Sequence, residues 1–246
     1  MNNYYDKNTQ TLYIEDANEL FKLENQPINA TNTHTDLFYS YTLNAPIVNI
    51  AFGDEVSGEA IGLLKSLDLR KYKDLKTISF GIKYRTVTDS LCADCNNLEK
   101  VEFKGIIDQI EKYAFYRCRK LKDINLMEGL EYIDPFAFAY CNKLDSITEF
   151  PSTLKRIGTD AFTKTNLEDM VFKSKIEIKS NAFRDCLNIH NITFLDNVKL
   201  GLEAFTYCQR IKNVVFKCDS VILSKSVFKQ CLIDRLALIL NHWDST

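Results

Sequence analysis

The sequence predicts a solenoid of about nine stacked coils, with a parallel β-sheet along one face and short helical turns or extended segments along the other. Three observations carry this. Ala-Phe recurs at Ala114-Phe115, Ala137-Phe138, Ala161-Phe162, Ala182-Phe183 and Ala204-Phe205, then as Val227-Phe228, so successive Phe residues lie 23, 24, 21, 22 and 23 positions apart. Three residues after each Phe stand Cys118, Cys141, Thr165, Cys186, Cys208 and Cys231. An apolar-x-x-apolar-x-apolar stretch then follows in every period. Self-similarity at a fixed period of about 20–50 residues is the signature of a repeat architecture. A strand too short to bury its own face does so by stacking on its neighbours.

Segment 1–45 does not fit the repeat. It is rich in Asn, Thr and Tyr, and "LYIE" and "LFYSYTL" are its candidate strands. A solenoid needs an end piece over its first open coil, so this segment is read as an N-terminal cap. The solenoid is assigned to 46–240. Its apolar triplets are Ile47/Ile50/Phe52, Leu75/Ile78/Phe80, Leu98/Val101/Phe103, Leu121/Ile124/Leu126, Leu167/Met170/Phe172, Ile189/Ile192/Phe194, Ile211/Val214/Phe216 and Ile233/Leu236/Leu238. The last two members of each alternate with polar residues, the pattern of a strand with one buried face. One copy is irregular, Leu144/Ile147/Glu149, and Phe150 fills its gap after a one-residue bulge.

The first coil carries a surplus in "GDEVSGEAIGLL", read as a loop from Gly53. Five residues before each Phe slot runs a second apolar column, from Leu64 and Val87 through Ile110, Ile133, Ile157 and Ile178 to Leu200 and Leu223. The small Ala before each Phe leaves room for the ring where coils crowd. With Gly at 8 and Pro at 4, few positions can demand a left-handed backbone, and of the Ile residues in the second column only Ile157 is followed by glycine, Gly158. The tail 241–246 is polar, with Trp243 placed to shield the last coil.

The pair Cys92-x-x-Cys95 resembles half a zinc site or a redox dithiol. In the repeat frame Cys92 lies 23 before Phe115 and Cys95 lies 23 before Cys118, so both are core slots. Stepping back again gives Leu69 and Tyr72, which are also bulky. The thiol column Cys95, Cys118, Cys141, Cys186, Cys208 and Cys231 is expected to pack as small hydrophobes with weak donors, in a reducing compartment. A metal or disulfide ladder along it is the alternative, against which Thr165 interrupts the column. Cys218, off the repeat, is the candidate exposed thiol. His34, His190 and His242 occupy unrelated phases. Asn29-Ala30-Thr31 and Asn191-Ile192-Thr193 are glycosylation sequons, meaningful only for an exported chain.

The frame in "IEKYAFYRCRKLKDINL" and its successors resembles the BspA-like leucine-rich repeats of bacterial surface proteins and some protozoan parasites. The match runs from about Pro46 to Leu238. It implies a leucine-rich-repeat solenoid of the α/β-type right-handed horseshoe and a role in binding other proteins or cell surfaces.

Lys+Arg of 31 against Asp+Glu of 33 offers no electrostatic pull toward nucleic acid or an anionic membrane. No apolar run approaches the ~20 residues of a membrane-spanning helix. No secretory leader is evident, so a cytoplasmic location is expected, with an extracellular one if a leader was removed. No phosphate loop or catalytic motif is present, and neither an enzyme nor a cofactor is expected. The expected function is non-catalytic protein binding by a monomer through the outward sheet columns. One column contains Lys100, Asp123, Ser146, Asp169, Asn191 and Asn213; the other contains Glu102, Asn125, Thr148, Val171, Thr193 and Val215. The alternatives are an adhesin fragment that binds host protein or glycan, and a metalloprotein or enzyme built on the thiol column.

Overall fold

The computed structural model describes residues 4–16, 46–56 and 69–239. An antiparallel hairpin, β1 (Tyr4–Asp6) and β2 (Thr11–Ile14), opens the chain. The first strands of successive coils follow the apolar triplets: β3 (Asn49–Phe52), β4 (Thr77–Phe80), β6 (Lys100–Phe103), β8 (Asp123–Ile124), β10 (Glu149–Phe150), β12 (Met170–Phe172), β14 (Asn191–Phe194), β16 (Asn213–Lys217) and β18 (Arg235–Ile239). Between them lie β5 (Thr86–Val87), β7 (Gln109–Ile110), β9 (Tyr132–Ile133), β11 (Arg156–Ile157), β13 (Ile176–Ile178), β15 (Val198–Leu200) and β17 (Val221–Leu223).

These strands build a β-solenoid of about seven turns with almost no helix. The first strands form two parallel stacks, β2-β3-β4-β6-β8 with β1 on its edge and β10-β12-β14-β16-β18. The return face takes the extended form of the two expected, and its extended segments pair between coils. It is a third sheet, β5-β7-β9-β11-β13-β15-β17, and the one helical turn described is Leu69–Lys71. The second apolar column is its spine, since Ile133, Ile157, Ile178, Leu200 and Leu223 are successive partners. These two- or three-residue strands, each carrying at least one β-branched or aliphatic residue, pair with the neighbouring coils. Seven coils carry both strands, against the nine expected, because the return of the first falls in 57–68, outside the described residues, and the last is described only through β18.

The N-terminal segment joins the repeat sheet. Thr11, Leu12, Tyr13 and Ile14 pair in parallel with Asn49, Ile50, Ala51 and Phe52. Leu12 and Ile14 are buried in the same phase as Ile50 and Phe52, so "LYIE" is a strand of the stack itself. "LFYSYTL", most of the first-coil loop, Asn29, His34, His242 and Trp243 lie outside the described residues.

Inside, the Phe slots form one continuous ladder. Phe115, Phe138, Phe162, Phe183, Phe205 and Phe228 stack with centroid steps of 5.2, 5.1, 5.2, 5.0 and 5.5 Å. A second ladder, Phe150, Phe172, Phe194 and Phe216, runs beside it at 4.6, 4.8 and 5.0 Å. The two meet edge to face, Phe150 against Phe162 at 5.7 Å and Phe172 against Phe183 at 6.0 Å. Each such pair adds about 0.5–1.5 kcal/mol beyond the apolar area it buries.

The turn around each Phe overturns the expectation of few left-handed positions. Residues two before and two after the slot both have positive φ, from Ser90 and Asp94 through Tyr113 and Arg117 to Ser226 and Gln230. The compensation is a hydrogen-bond ladder. Tyr113, Phe115 and Arg117 donate their N–H groups to Pro135, Ala137 and Ala139 of the next coil at 3.2, 2.8 and 2.8 Å. The same threefold pattern recurs at Asn181, Phe183 and Asp185. Backbone polar groups in a buried turn must be partnered, and alternating the turn sense aims every second donor at the next coil. Gly158 and Gly201 lie where this edge meets the third sheet; a Cβ would stand 2.5 Å from Pro135 N and 2.7 Å from Ser180 N.

Phe183 touches both ladders, so Phe183→Ala is expected to cost about 3–5 kcal/mol, read as a lowered urea midpoint in equilibrium unfolding.

Candidate functional site

The outward columns of the first-strand stacks are solvent-facing. Glu102, Asp123, Asn125, Ser146, Thr148 and Asp169 are exposed; Lys100, Val171, Asn191, Thr193, Asn213 and Val215 are half-buried between neighbouring strands. Register makes several of them direct neighbours. Lys100 pairs with Asp123, Asn191 with Asn213, and Thr193 with Val171 on one side and Val215 on the other. Thr148 is not in the column assigned to it. Glu149 pairs with Val171, and Phe150 takes the core slot beside Phe172 as the bulge requires, so the extra residue pushes Thr148 out of the strand.

That bulge divides the face. β8 and β10 do not pair with each other. Ser146 bridges the break: its hydroxyl accepts from Ile124 N–H at 3.1 Å and donates to Ile124 C=O at 3.1 Å. A side chain thus does what the missing strand backbone would have done.

The two halves differ in chemistry. On the N-terminal side Lys100 lies 2.6 Å from Glu102 and 3.9 Å from Asp123. The hydrogen bond and charge of Glu102 hold the Lys100 pKa above its usual value. Asn49 donates to Thr9 C=O at 2.9 Å and accepts from the Thr77 hydroxyl. On the C-terminal side the Asp169 carboxylate accepts from Asn191 N–H at 3.0 Å and Asn191 Nδ2 at 2.9 Å; Asn191 Oδ1 in turn accepts from Asn213 Nδ2 at 2.7 Å. This amide ladder lies alongside the Val171–Thr193–Val215 column. The sequence placed these columns on one face but missed Glu149 and the ladder, because both depend on strand register across the bulge.

The thiol column is a structural device. Cys118, Cys141, Cys186, Cys208 and Cys231 each donate to the carbonyl of the Phe slot in the preceding coil, at 3.0–3.1 Å. Cys92 fills that slot for Cys118. Thr165 donates to Phe162 C=O in its own coil at 2.9 Å and lies 3.2 Å from Cys186 Sγ. Burial pushes the thiol pKa of Cys92, Cys118 and Cys141 well up, and that of Cys231 up to about 11. All eight cysteines are free. Cys218, expected at the surface, is only 1% exposed, its thiol turned toward Ser220 C=O at 3.7 Å; it lies just past β16, where the chain turns under the sheet edge. The partly exposed thiol is Cys231. Among the described residues no group of three or more His, Cys, Asp and Glu is placed to hold a metal ion, and no helix is long and apolar enough to cross a membrane.

A chain of short strands in parallel register, repeating a Phe ladder and a thiol-to-carbonyl bond, defines a repeat-built β-solenoid. The family model described as "BspA type Leucine rich repeat region (6 copies)" matches residues 68–188 and 108–234. The chain belongs to the BspA-type leucine-rich repeat family. No curated protein matches it. Among solved structures it is similar to the leucine rich repeat protein TpLRR of T. pallidum, at 20% identity and a TM-score of 0.47, covering 78% of this chain and 72% of that one. It is also similar to a leucine rich cell surface protein of Faecalibacterium prausnitzii, at 17% identity and a TM-score of 0.47, covering 69% of this chain and 43% of that one. A leucine-rich repeat protein of Bacteroides ovatus matches at 14% identity and a TM-score of 0.37, covering 67% of this chain and 71% of that one.

Ser146→Ala leaves both polar groups of Ile124 without that partner and is expected to cost about 1 kcal/mol, read in the same unfolding assay. The thiols supply a pH dependence. In the unfolded chain Cys92, Cys118, Cys141, Cys208 and Cys231 ionise near pH ~8.5, while burial raises their pKa in the fold, so above that pH the unfolded state loses their protons first. Stability is therefore complete below about pH 8.5 and falls above it, by up to about 1.4 kcal/mol per pH unit for each buried thiol. Urea midpoints at about pH 7.5 and about pH 10 measure this, and Cys118→Ala with Cys141→Ala should flatten the decline.

Proposed function

We propose that this protein is a non-catalytic interaction module that binds a protein partner through the outward face of the first-strand stacks, chiefly the half formed by β12, β14 and β16. The observation that carries the reading is the Asp169–Asn191–Asn213 ladder in register with Val171, Thr193 and Val215. The polar groups of this strip already bond to one another. Covering it would strand few unpaired donors or acceptors, and its rigid sheet backbone keeps the ordering cost of association low. Small aliphatic side chains beside neutral amides match the moderately apolar, charge-poor centre of a protein interface. Membership of the leucine-rich repeat family supports a role in protein interaction or at a surface.

A photo-crosslinking residue at Thr193 is expected to capture one defined protein in cells of the source organism. The same residue at Lys199, exposed on the third sheet, should not capture it. Val215→Arg should reduce capture from Thr193 by about tenfold or more with an unchanged urea midpoint. Equal capture from both positions, or full capture by the Val215→Arg variant, would refute the sheet face as the site.

A further inference from the structure

The turn edge carries a second surface, independent of the sheet face. We propose that a cluster of tyrosines and unpaired cations on the edge of the coils around Phe115, Phe138 and Phe162 binds an acidic peptide segment, one with a run of Asp and Glu side chains.

The first observation is conformational cost. Every coil needs two left-handed residues flanking the Phe slot. Asp94, Asp160, Asn181 and Asp185 meet the need with side chains that tolerate this region. In two adjacent coils the same positions hold Tyr113 (φ 58°), Phe136 (φ 59°) and Tyr140 (φ 65°). A bulky side chain there costs about 1–2 kcal/mol. Tyr116 likewise stands where the neighbouring coils have Ala93 and Ala139. The left-handed backbone gains nothing from these rings, whose packing on one another offsets part of its cost.

The second observation is what they assemble. Tyr113 stacks on Phe136 at 5.1 Å and meets Tyr116 edge-on at 5.3 Å; Tyr116 meets Tyr140 edge-on at 5.7 Å. All four are half-buried, and the hydroxyls of Tyr113, Tyr116 and Tyr140 make no hydrogen bond among the described residues. Cations roof the cluster. Arg117 lies 4.9 Å from the Tyr116 ring centre, Lys164 lies 5.5 Å from that of Tyr140, and Lys112 lies 4.8 Å from that of Tyr113.

The third observation is charge. Cations elsewhere on this protein are commonly matched by a carboxylate, as in Arg85–Asp108, Lys155–Glu131 and Lys199–Glu177. Lys112, Lys164, and the exposed Arg119, Lys120 and Lys143 in the turns that follow have no carboxylate partner among the described residues. Arg117 has one only at the limit, Asp94 at 4.0 Å. The nearby acids are engaged elsewhere: Glu111 accepts from Asp89 N–H, Asp134 from Gln109 and Arg156, and Asp160 from Thr163. Half of a set of ion pairs and phenol hydrogen bonds is therefore in place without its acceptors.

The acceptors that complete it are carboxylates on an extended chain. Arg117 and Lys164 are two coils apart, about 10 Å, the length of about three extended residues, so a run of acids suits the edge better than a single one. Tyrosine and arginine are also the residues that dominate protein-binding hot spots. Nucleic acid fits less well. Its sequence-tolerant binding uses open aromatic faces, and here the faces lie against one another or under cations.

The test uses the full chain and a fluorescein-labelled peptide of about twelve residues rich in Glu and Asp, at about 50 and about 200 mM salt, with oligo(dT) and heparin as competing arms. The peptide is expected to bind, more weakly at the higher salt. Lys120→Glu with Lys143→Glu should weaken it by about tenfold or more, while Lys175→Glu with Lys199→Glu, the same charge change away from this edge, should have little effect. Tyr113→Asn and Tyr140→Asn supply the discriminating readout. Asn suits the left-handed turn, so the urea midpoint should hold or rise while peptide binding falls. No binding at the lower salt, equal loss from the control pair, tighter binding of oligo(dT) or heparin, or Asn variants that lose stability and keep the peptide would each overturn the proposal.

Discussion

Register between coils is the constraint on which this structure depends. A single coil has two strands of a few residues, one aromatic ring and one thiol, and can bury none of them alone. Stacked at about 5 Å, the Phe-slot rings lie on one another, most short strands find a partner on both sides, and the column thiols reach the carbonyl one coil back. These interactions share one repeat distance, set by backbone pairing. An insertion of one residue in a strand cannot be absorbed inside the core. It is expelled to the surface, as at Thr148, and the core slot is refilled by Phe150.

The choice of cysteine and of left-handed turns follows from the same constraint. The carbonyl of each Phe slot accepts the N–H three residues on and has a second lone pair, which a thiol of the next coil can fill. A thiol is small enough to sit among rings and weakly polar enough to be desolvated at little cost. Threonine at 165 breaks the pattern: its hydroxyl bonds the carbonyl of its own coil, and Phe138 C=O keeps only the Cys141 N–H. The paired left-handed residues let three alternate N–H groups point the same way along the stack, while those between them bond within the turn. The other coils fill those turn positions mostly with polar side chains, Asp and Asn among them; the aromatic group at Tyr113, Phe136 and Tyr140, with Tyr207 further along, departs from that pattern.

The two candidate surfaces differ in kind. The sheet face is rigid, and its polar side chains are tied into a ladder along the solenoid axis, so its recognition would be by shape and modest apolar contact. The turn edge has phenols and cations with unused capacity, so its recognition would be by charge and hydrogen bonding. They lie on different sides of the coil, so one can be altered without the other.

The sequence by itself determined the repeat, its phase and the interior. The Phe, Ile and Cys columns, the Cys92-Cys95 slots, the refilling by Phe150 and the outward placement of Lys100, Asp123, Asn191 and Thr193 were all legible, because period and hydrophobic alternation report which side chains converge. Only the tertiary structure decided the rest. The return segments became a sheet because two or three aliphatic residues suffice for a strand once identical neighbours flank them, a cooperativity that no single copy displays. The N-terminal "LYIE" joined the stack through pairing with β3, 38 residues away. Cys218 was buried by a bend after β16 that has no counterpart in the repeat. The left-handed turns were hidden because their cost is offset by hydrogen bonds to the next coil, and the amide ladder, Glu149 and the aromatic edge emerged only when strand register brought residues about 22 apart into contact. Local pattern fixes what is buried; which exposed side chains meet depends on alignment between coils, and that is a property of the stack.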